Sequence, residues 1–133
     1  MDIETGFEWS IRDDDIIIYH FKDSRRATVD KWVEIHREHR DTHNAEGRPL
    51  KRLWYFGDSF IPTPYAGKVT IQMAREMPSG TRTQIACVIT NSRLYALTQF
   101  VFRRIDTRKD YVRFFNNEAS ALEWLQTAES PVG

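Results

Sequence analysis

The stretch LWYFGDSFIPTP, residues 53–64, combines a strand, a bend and the start of a helix. Leu53–Phe56 is an uninterrupted apolar and aromatic run, which is typical of a strand buried in a sheet. Residues 57–59 (Gly-Asp-Ser) then end the strand. Thr63 before Pro64 predicts a helix start, because threonine caps helices and proline fits the first helical position. A strand that leads directly into a helix indicates an α/β fold.

The residues before this stretch predict a hairpin and a helix. In residues 7–11 (FEWSI) apolar and polar side chains alternate, which indicates a half-buried strand. The apolar run 16–21 (IIIYHF) predicts a strand buried on both faces. The short polar turn between the two makes them an antiparallel hairpin. A helix is expected over residues 28–42, with Thr28 as its N-cap.

The residues after it repeat the strand and helix alternation. The helix that starts at Pro64 carries an apolar face and ends near Gly80. The whole order, β-β-α-β-α-β-α-β-α, predicts one α/β domain over residues 1–133, with a mixed five-stranded sheet and about four helices. The remaining expected elements are strands at 85–89 and 111–115, a helix capped by Asn91 or Ser92, and a last helix capped by Asn116 or Asn117.

Composition excludes several classes of protein. The 133 residues include 19 Lys plus Arg and 19 Asp plus Glu, so no net charge attracts nucleic acid or an anionic membrane. The single cysteine, Cys87, excludes an internal disulfide and a cysteine-based zinc site. No apolar run approaches the roughly 20 residues that span a bilayer, and the acidic start does not look like a signal peptide. We therefore expect a cytoplasmic protein.

Residues 112–125 (VRFFNNEASALEWL) resemble the C-terminal end of STAS-type domains, in particular the bacterial SpoIIAA-like, anti-sigma-factor-antagonist-like group. In that family a strand ending in an aromatic residue leads into a short helix with this Glu-Ala and Trp-Leu pattern. The order of elements along the chain agrees with the family as well. The resemblance implies a STAS-like fold and a regulatory or protein-interaction module, with a protein partner and no catalytic residues.

The resemblance also implies where a switch would lie. Signalling members carry a serine, within Asp-Ser-Ser-Gly or Asp-Ser-Thr-Gly, that a partner kinase phosphorylates. Asp58-Ser59 matches the first two positions of that signature, and Phe60-Ile61 replaces the small pair that follows. The resemblance therefore implies that Ser59 is the phosphorylated residue, on the basis of this partial match alone.

The bend at 57–64 is a candidate site on physical grounds too. It follows a predicted parallel strand, and open α/β sheets bind ligands at the carboxyl ends of such strands. The free N–H groups of the following helix suit an anion, such as a phosphate on Ser59 or Thr63. We predict a switch or partner-binding site at Asp58, Ser59, Thr63 and Tyr65. The alternative is that Asp58 and Ser59 only close a turn and Thr63 only caps a helix.

His36, His39 and His43 share one face of the first predicted helix. The spacing of four between the last two is common in metal-binding helices, so a metal site is one hypothesis. The alternative is that the three imidazoles continue the apolar stripe of the helix and pack on the rim of the core. Imidazoles here also titrate near neutral pH.

An enzyme or ligand-binding protein is the competing hypothesis for the whole chain. Its pocket would use Ser59, Tyr65 and Tyr95 at the strand ends, or the histidine metal site. The chain has no nucleophile elbow and no glycine-rich nucleotide loop, so we expect no cofactor. Cys87 is expected to be buried and inert.

Two further surface hypotheses follow from side-chain type. Two basic clusters, Arg25-Arg26 and the residues Arg103, Arg104, Arg108 and Lys109, would form a phosphate-binding basic patch with Arg48, Lys51 and Arg52, or an ordinary solvated surface. The aromatic residues 54–56 would fill a sheet covered by helices or, on a bare face, form a homodimer surface.

Overall fold

The computed structural model describes residues 5–57, 60–61, 63–76, 82–96 and 112–127. The basic residues Arg103, Arg104, Arg108 and Lys109 of the predicted patch, and Tyr111 at the start of a predicted strand, lie outside this part. The described elements, in chain order, are β1 (Phe7–Ile11), β2 (Ile17–Phe21), α1 (Arg26–Glu46), β3 (Leu50–Phe56), α2 (Pro64–Arg75), β4 (Thr83–Val88), α3 (described over 92–96), β5 (Val112–Phe115) and α4 (Glu118–Thr127).

The strands form one mixed five-stranded sheet in the order β1-β2-β3-β4-β5. β1 and β2 are antiparallel, and β2–β3, β3–β4 and β4–β5 are parallel. The predicted α/β class, the hairpin and the parallel crossovers are therefore confirmed. The C-terminal ends of four parallel strands meet at one edge of the sheet, which we call the carboxyl edge.

One face of the sheet is covered by α1 and α2, and we call it the α1 face. Val29, Trp32 and Ile35 of α1 and Met73 of α2 are buried against it. Alternate strand residues point into this layer because successive side chains of a strand lie on opposite faces. The strand residues of this core are Phe7, Ile17, Tyr19, Phe21, Leu50, Trp54, Ile85 and Cys87.

The opposite face is covered by α4, and we call it the α4 face. Ala121 and Leu125 are fully buried there against Ile16, Leu53 and other strand residues. Asn117 caps this helix, since its Oδ1 accepts a hydrogen bond from the Ser120 backbone N–H. Of the two predicted caps, Asn116 and Asn117, the second is therefore the one used.

The cap predictions are correct for two other helices and wrong for α1. Thr63 caps α2 with Pro64 at N1, and Asn91 Oδ1 accepts hydrogen bonds from the backbone N–H of Arg93 and Leu94. α1 begins at Arg26, two residues before the predicted cap. Thr28 is instead fully buried, where its Oγ1 donates to Asp23 and accepts from the Gly6 N–H.

The hairpin strands are less buried than their sequences predict. Only Phe7 of the three apolar β1 residues is buried, because β1 is an outer strand of the sheet. Within β2, His20 is exposed and Ile18 is partly buried, so this strand is not buried on both faces. α4 contacts β3, β4 and β5, and the α4 face over the hairpin stays open to solvent at Glu8, Ser10 and His20.

β3 begins earlier than predicted, at Leu50, and this places Arg52 in the core. Lys51 points to the other face, where its Nζ donates to the Leu125 carbonyl oxygen. Arg48 pairs with Asp15 and Glu46. Arg48, Lys51 and Arg52 therefore do not form a common basic patch, because consecutive strand residues face opposite sides of the sheet.

We expect Leu125→Ala to lower the free energy of unfolding by about 2–5 kcal/mol, because it leaves a cavity under α4. Glu123→Ala, on the exposed side of the same helix, is the matched control and should change it by less than about 0.5 kcal/mol. Urea denaturation followed by circular dichroism measures both. Equal effects would contradict the packing of α4 on the sheet.

Candidate functional site

The bend after β3 lies at the carboxyl edge of the sheet, as the sequence predicts. The Gly57 N–H donates to the Phe21 carbonyl oxygen over 2.8 Å, and the Phe60 N–H donates to the Gly57 carbonyl oxygen over 3.0 Å. The Phe60 ring packs on Phe56 and Phe21, with ring centroids 4.8 and 6.1 Å apart. The bend is therefore attached to the core on both sides of Asp58 and Ser59, which lie outside the described residues.

Thr63 is fixed by its role as a helix cap. Its Oγ1 accepts a hydrogen bond from the Ala66 N–H over 3.1 Å, and its backbone is extended. The hydroxyl therefore lies at the N-terminus of α2, where the helix dipole favours negative charge. A group attached to this oxygen would displace the cap and lie next to backbone donors.

Tyr65, in the first turn of α2, connects this helix to the start of α1. Its hydroxyl donates to Asp30 Oδ1, and the Arg26 guanidinium lies 4.5 Å from the centre of its ring. The hydrogen bond to Asp30 raises the pKa of Tyr65 above its ordinary value. Sequence reasoning did not assign Arg26 or Asp30 to the site, because their approach to Tyr65 depends on how α1 and α2 lie side by side.

Ile61 lies on the same bend and is 68 % exposed. A single exposed apolar side chain is ordinary on a protein surface, but Ile61 is close in the chain to Thr63 and Tyr65, and tyrosine is enriched at protein interfaces. We use the name carboxyl-edge surface for Arg26, Asp30, Ile61, Thr63 and Tyr65.

The three histidines do not converge on one point. His36 contacts Arg52, His39 Nδ1 lies 2.6 Å from the Tyr19 hydroxyl, and His43 Nδ1 lies 3.0 Å from the His39 carbonyl oxygen. Within the described part of the chain, no group of three His, Cys, Asp or Glu side chains could hold a metal ion. The metal hypothesis at these histidines therefore has no support from the geometry.

Their positions agree with the alternative, in which the imidazoles pack on the core. His36 and His43 are buried, and the His39 ring stacks on Tyr19 and packs edge-on against Trp9. The second half of α1 thus covers the sheet with imidazoles where the first half uses Val29 and Trp32.

Arg52 is the unexpected polar residue of this core. It is 0 % exposed, and its Nη1 contacts His36 Nδ1. Because a guanidinium only donates, Nδ1 must be the unprotonated acceptor nitrogen of a neutral imidazole. Burial, and then the charge of Arg52, hold the pKa of His36 well below its ordinary value.

His39 is affected in the same direction. Burial, with the nearby charge of Arg52, lowers the pKa of His39 to about 4. Tyr19 of β2, whose hydroxyl contacts His39, has its pKa raised by burial, an effect that Arg52 partly offsets. These groups are neutral at pH 7, so Arg52 is the cation among them.

The remaining predicted residues have structural surroundings. The Tyr95 hydroxyl lies 3.4 Å from the Phe114 carbonyl oxygen, and Tyr65 is committed to Asp30 as described. Both tyrosine hydroxyls therefore already have partners within the protein, and this does not favour the predicted ligand pocket. Cys87 is fully buried in β4, and burial raises the pKa of its thiol.

Comparison of the chain with protein-family models, with curated proteins and with solved structures finds no match. In the described residues, no helix is both long and apolar enough to cross a membrane.

The free energy of unfolding should fall as the pH drops from about 6.5 to about 4. In this range unfolded His36 and His39 bind protons that the folded protein excludes, since their folded-state pKa values are lowered. The charged groups around them, Arg52, Arg40 and Arg37, oppose protonation of His36. Urea denaturation at several pH values measures the slope.

His39→Gln should reduce this slope, because it removes one of the two protonation sites. His20→Gln is the matched control, since His20 is exposed on the other face of the sheet. A slope that His39→Gln leaves unchanged would contradict the assignment.

Proposed function

We propose that the chain is a STAS-like, SpoIIAA-like regulatory module that binds a protein partner and does not catalyse a reaction. The partner contacts the carboxyl-edge surface together with Asp58 and Ser59. The observation that carries this proposal is the exposure of Ile61 on a bend whose neighbour, Phe60, is anchored in the core.

The surface has the composition of a contact site. Ile61 offers an apolar side chain, and Tyr65 and Arg26 belong to residue types enriched at protein interfaces. Asp30 and Arg26 hold Tyr65 in place before a partner arrives. Preorganised side chains lose less conformational entropy on binding than free ones.

The same surface suits regulation by phosphorylation. A phosphate on Thr63 would lie at the N-terminus of α2, near the Ala66 N–H that now bonds to the Thr63 hydroxyl. The partial match of Asp58-Ser59 to the STAS-type signature makes Ser59, four residues earlier in the chain, the second candidate for modification. Either phosphate would add negative charge beside Ile61 and change the affinity for the partner.

Ile61→Asp should abolish capture of the partner from an extract of the native cell, because it places a charge in the apolar part of the contact. Ala45→Asp is the matched control, since Ala45 is also exposed and lies at the end of α1 that is remote from Arg26 and Asp30. Captured proteins are identified by peptide mass spectrometry. Equal capture by Ile61→Asp and the native protein would exclude this surface.

Ser59→Ala/Thr63→Ala should abolish phosphate incorporation from radiolabelled ATP in the same extract. Thr63→Ala also removes a helix cap at a cost of about 1 kcal/mol. Thr63→Asn combined with Ser59→Ala keeps a capping side chain without a hydroxyl, and should give the same loss. Undiminished incorporation in the Asn variant would disprove the switch.

A further inference from the structure

β1 is the outer strand of the sheet and has an accessible edge. In the described part of the chain it pairs with β2 on one side and with no strand on the other. Two of its side chains, Trp9 and Ile11, are 43 % and 53 % exposed. An open strand edge with apolar side chains favours pairing with another strand.

The hairpin hydrogen bonds determine which backbone groups this edge offers. The Lys22 N–H donates to the Gly6 carbonyl oxygen, and the Arg12 N–H donates to the Ile16 carbonyl oxygen. In an antiparallel pair these bonds recur at every second residue. The even-numbered residues of β1 therefore bond to β2, and Phe7, Trp9 and Ile11 direct their N–H and C=O groups outward.

We propose that two copies of this chain pair through β1, antiparallel, with Ser10 at the two-fold axis. Outward-directed residues must then face one another, so Trp9 of each copy lies opposite Ile11 of the other. Trp9 of one copy and Ile11 of the other would exchange two main-chain hydrogen bonds. The two-fold axis generates a second, equivalent pair of bonds. The two five-stranded sheets would become one continuous sheet.

The charged side chains of β1 favour the register with the axis at Ser10 over the registers with the axis at Glu8 or Trp9. With the axis at Ser10, Glu8 lies opposite Arg12 of the second copy, on the same face of the sheet. With the axis at Glu8, two carboxylates would face each other, which is destabilising. With the axis at Trp9, Glu8 would face a serine and Arg12 a glycine.

The ion pairs within each copy would continue across the proposed interface as a row of alternating charges. Glu8 accepts from Lys22 Nζ over 2.8 Å, and Arg12 Nε lies 3.1 Å from Asp14 Oδ1. Across the interface the charges would alternate as Lys22, Glu8, Arg12 and Asp14, the last two from the second copy. Trp9 and Ile11 would pair on the other face, which is the α1 face, where Trp9 already packs on His39.

Cysteine cross-linking tests the register directly. Ser10→Cys should form an intermolecular disulfide in oxidised glutathione, because the residue would face its own copy across a closely spaced pair. Glu8→Cys is the matched control. Its copies would lie on the order of 13 Å apart, beyond the reach of a disulfide. Cys87 is buried and does not interfere.

Sedimentation velocity over about a hundredfold range of concentration tests the dimer itself. Glu8→Arg and Arg12→Glu should each weaken dimerisation about tenfold or more, and the double variant Glu8→Arg/Arg12→Glu should restore it. A monomer at every concentration, or no cross-linking at Ser10, would overturn the proposal. Preferential cross-linking at Glu8, or failure of the double variant to recover, would overturn the register.

Discussion

The crossover connections between parallel strands determine on which face of the sheet the helices lie. β2, β3 and β4 are neighbours in the sheet and in the chain, so each connection returns across the same face if it keeps the usual right-handed sense. α1 and α2 accordingly share one core cluster. Among the described elements, α4 is the helix that packs on the other face, where it contacts β3, β4 and β5 and leaves Glu8, Ser10 and His20 of the hairpin exposed.

The same constraint produces both surfaces proposed to bind other molecules. Parallel strands bring their following loops to one edge, where Tyr65, just after the bend containing Ile61, contacts Asp30 and Arg26 at the start of α1. The hairpin reverses the chain direction and leaves β1 at the outside of the sheet, with an edge that pairs with no strand in the described residues. The proposed partner contact and the proposed contact between two copies thus lie on separate parts of one sheet.

Arg52 makes the core under α1 more polar than the aromatic composition suggests. A buried charge is costly unless it is hydrogen-bonded, and His36 supplies an acceptor nitrogen to it. That acceptor exists only while the imidazole is neutral. The packing of α1 on β3 is therefore coupled to the protonation state of a residue that the sequence suggested first as a metal ligand.

The sequence predicts those features that depend on neighbouring residues. The caps at Thr63 and Asn117 are short-range hydrogen bonds, and the strand-helix alternation follows from side-chain periodicity. The exposure of Trp9 depends on the position of β1 in the sheet, which periodicity does not show. The burial of Arg52 and the contact of Arg26 with Tyr65 likewise depend on residues distant in the chain.

Among the described helices, the one that covers the α4 face, α4, is also the last in the chain. Because ribosomes synthesise proteins from the N-terminus, Leu53 and Ala86 emerge long before Ala121 and Leu125 can shield them. In a nascent chain whose strands have already paired, the apolar residues of the α4 face are still exposed to solvent. This interval is when aggregation or chaperone capture competes with completion of the fold.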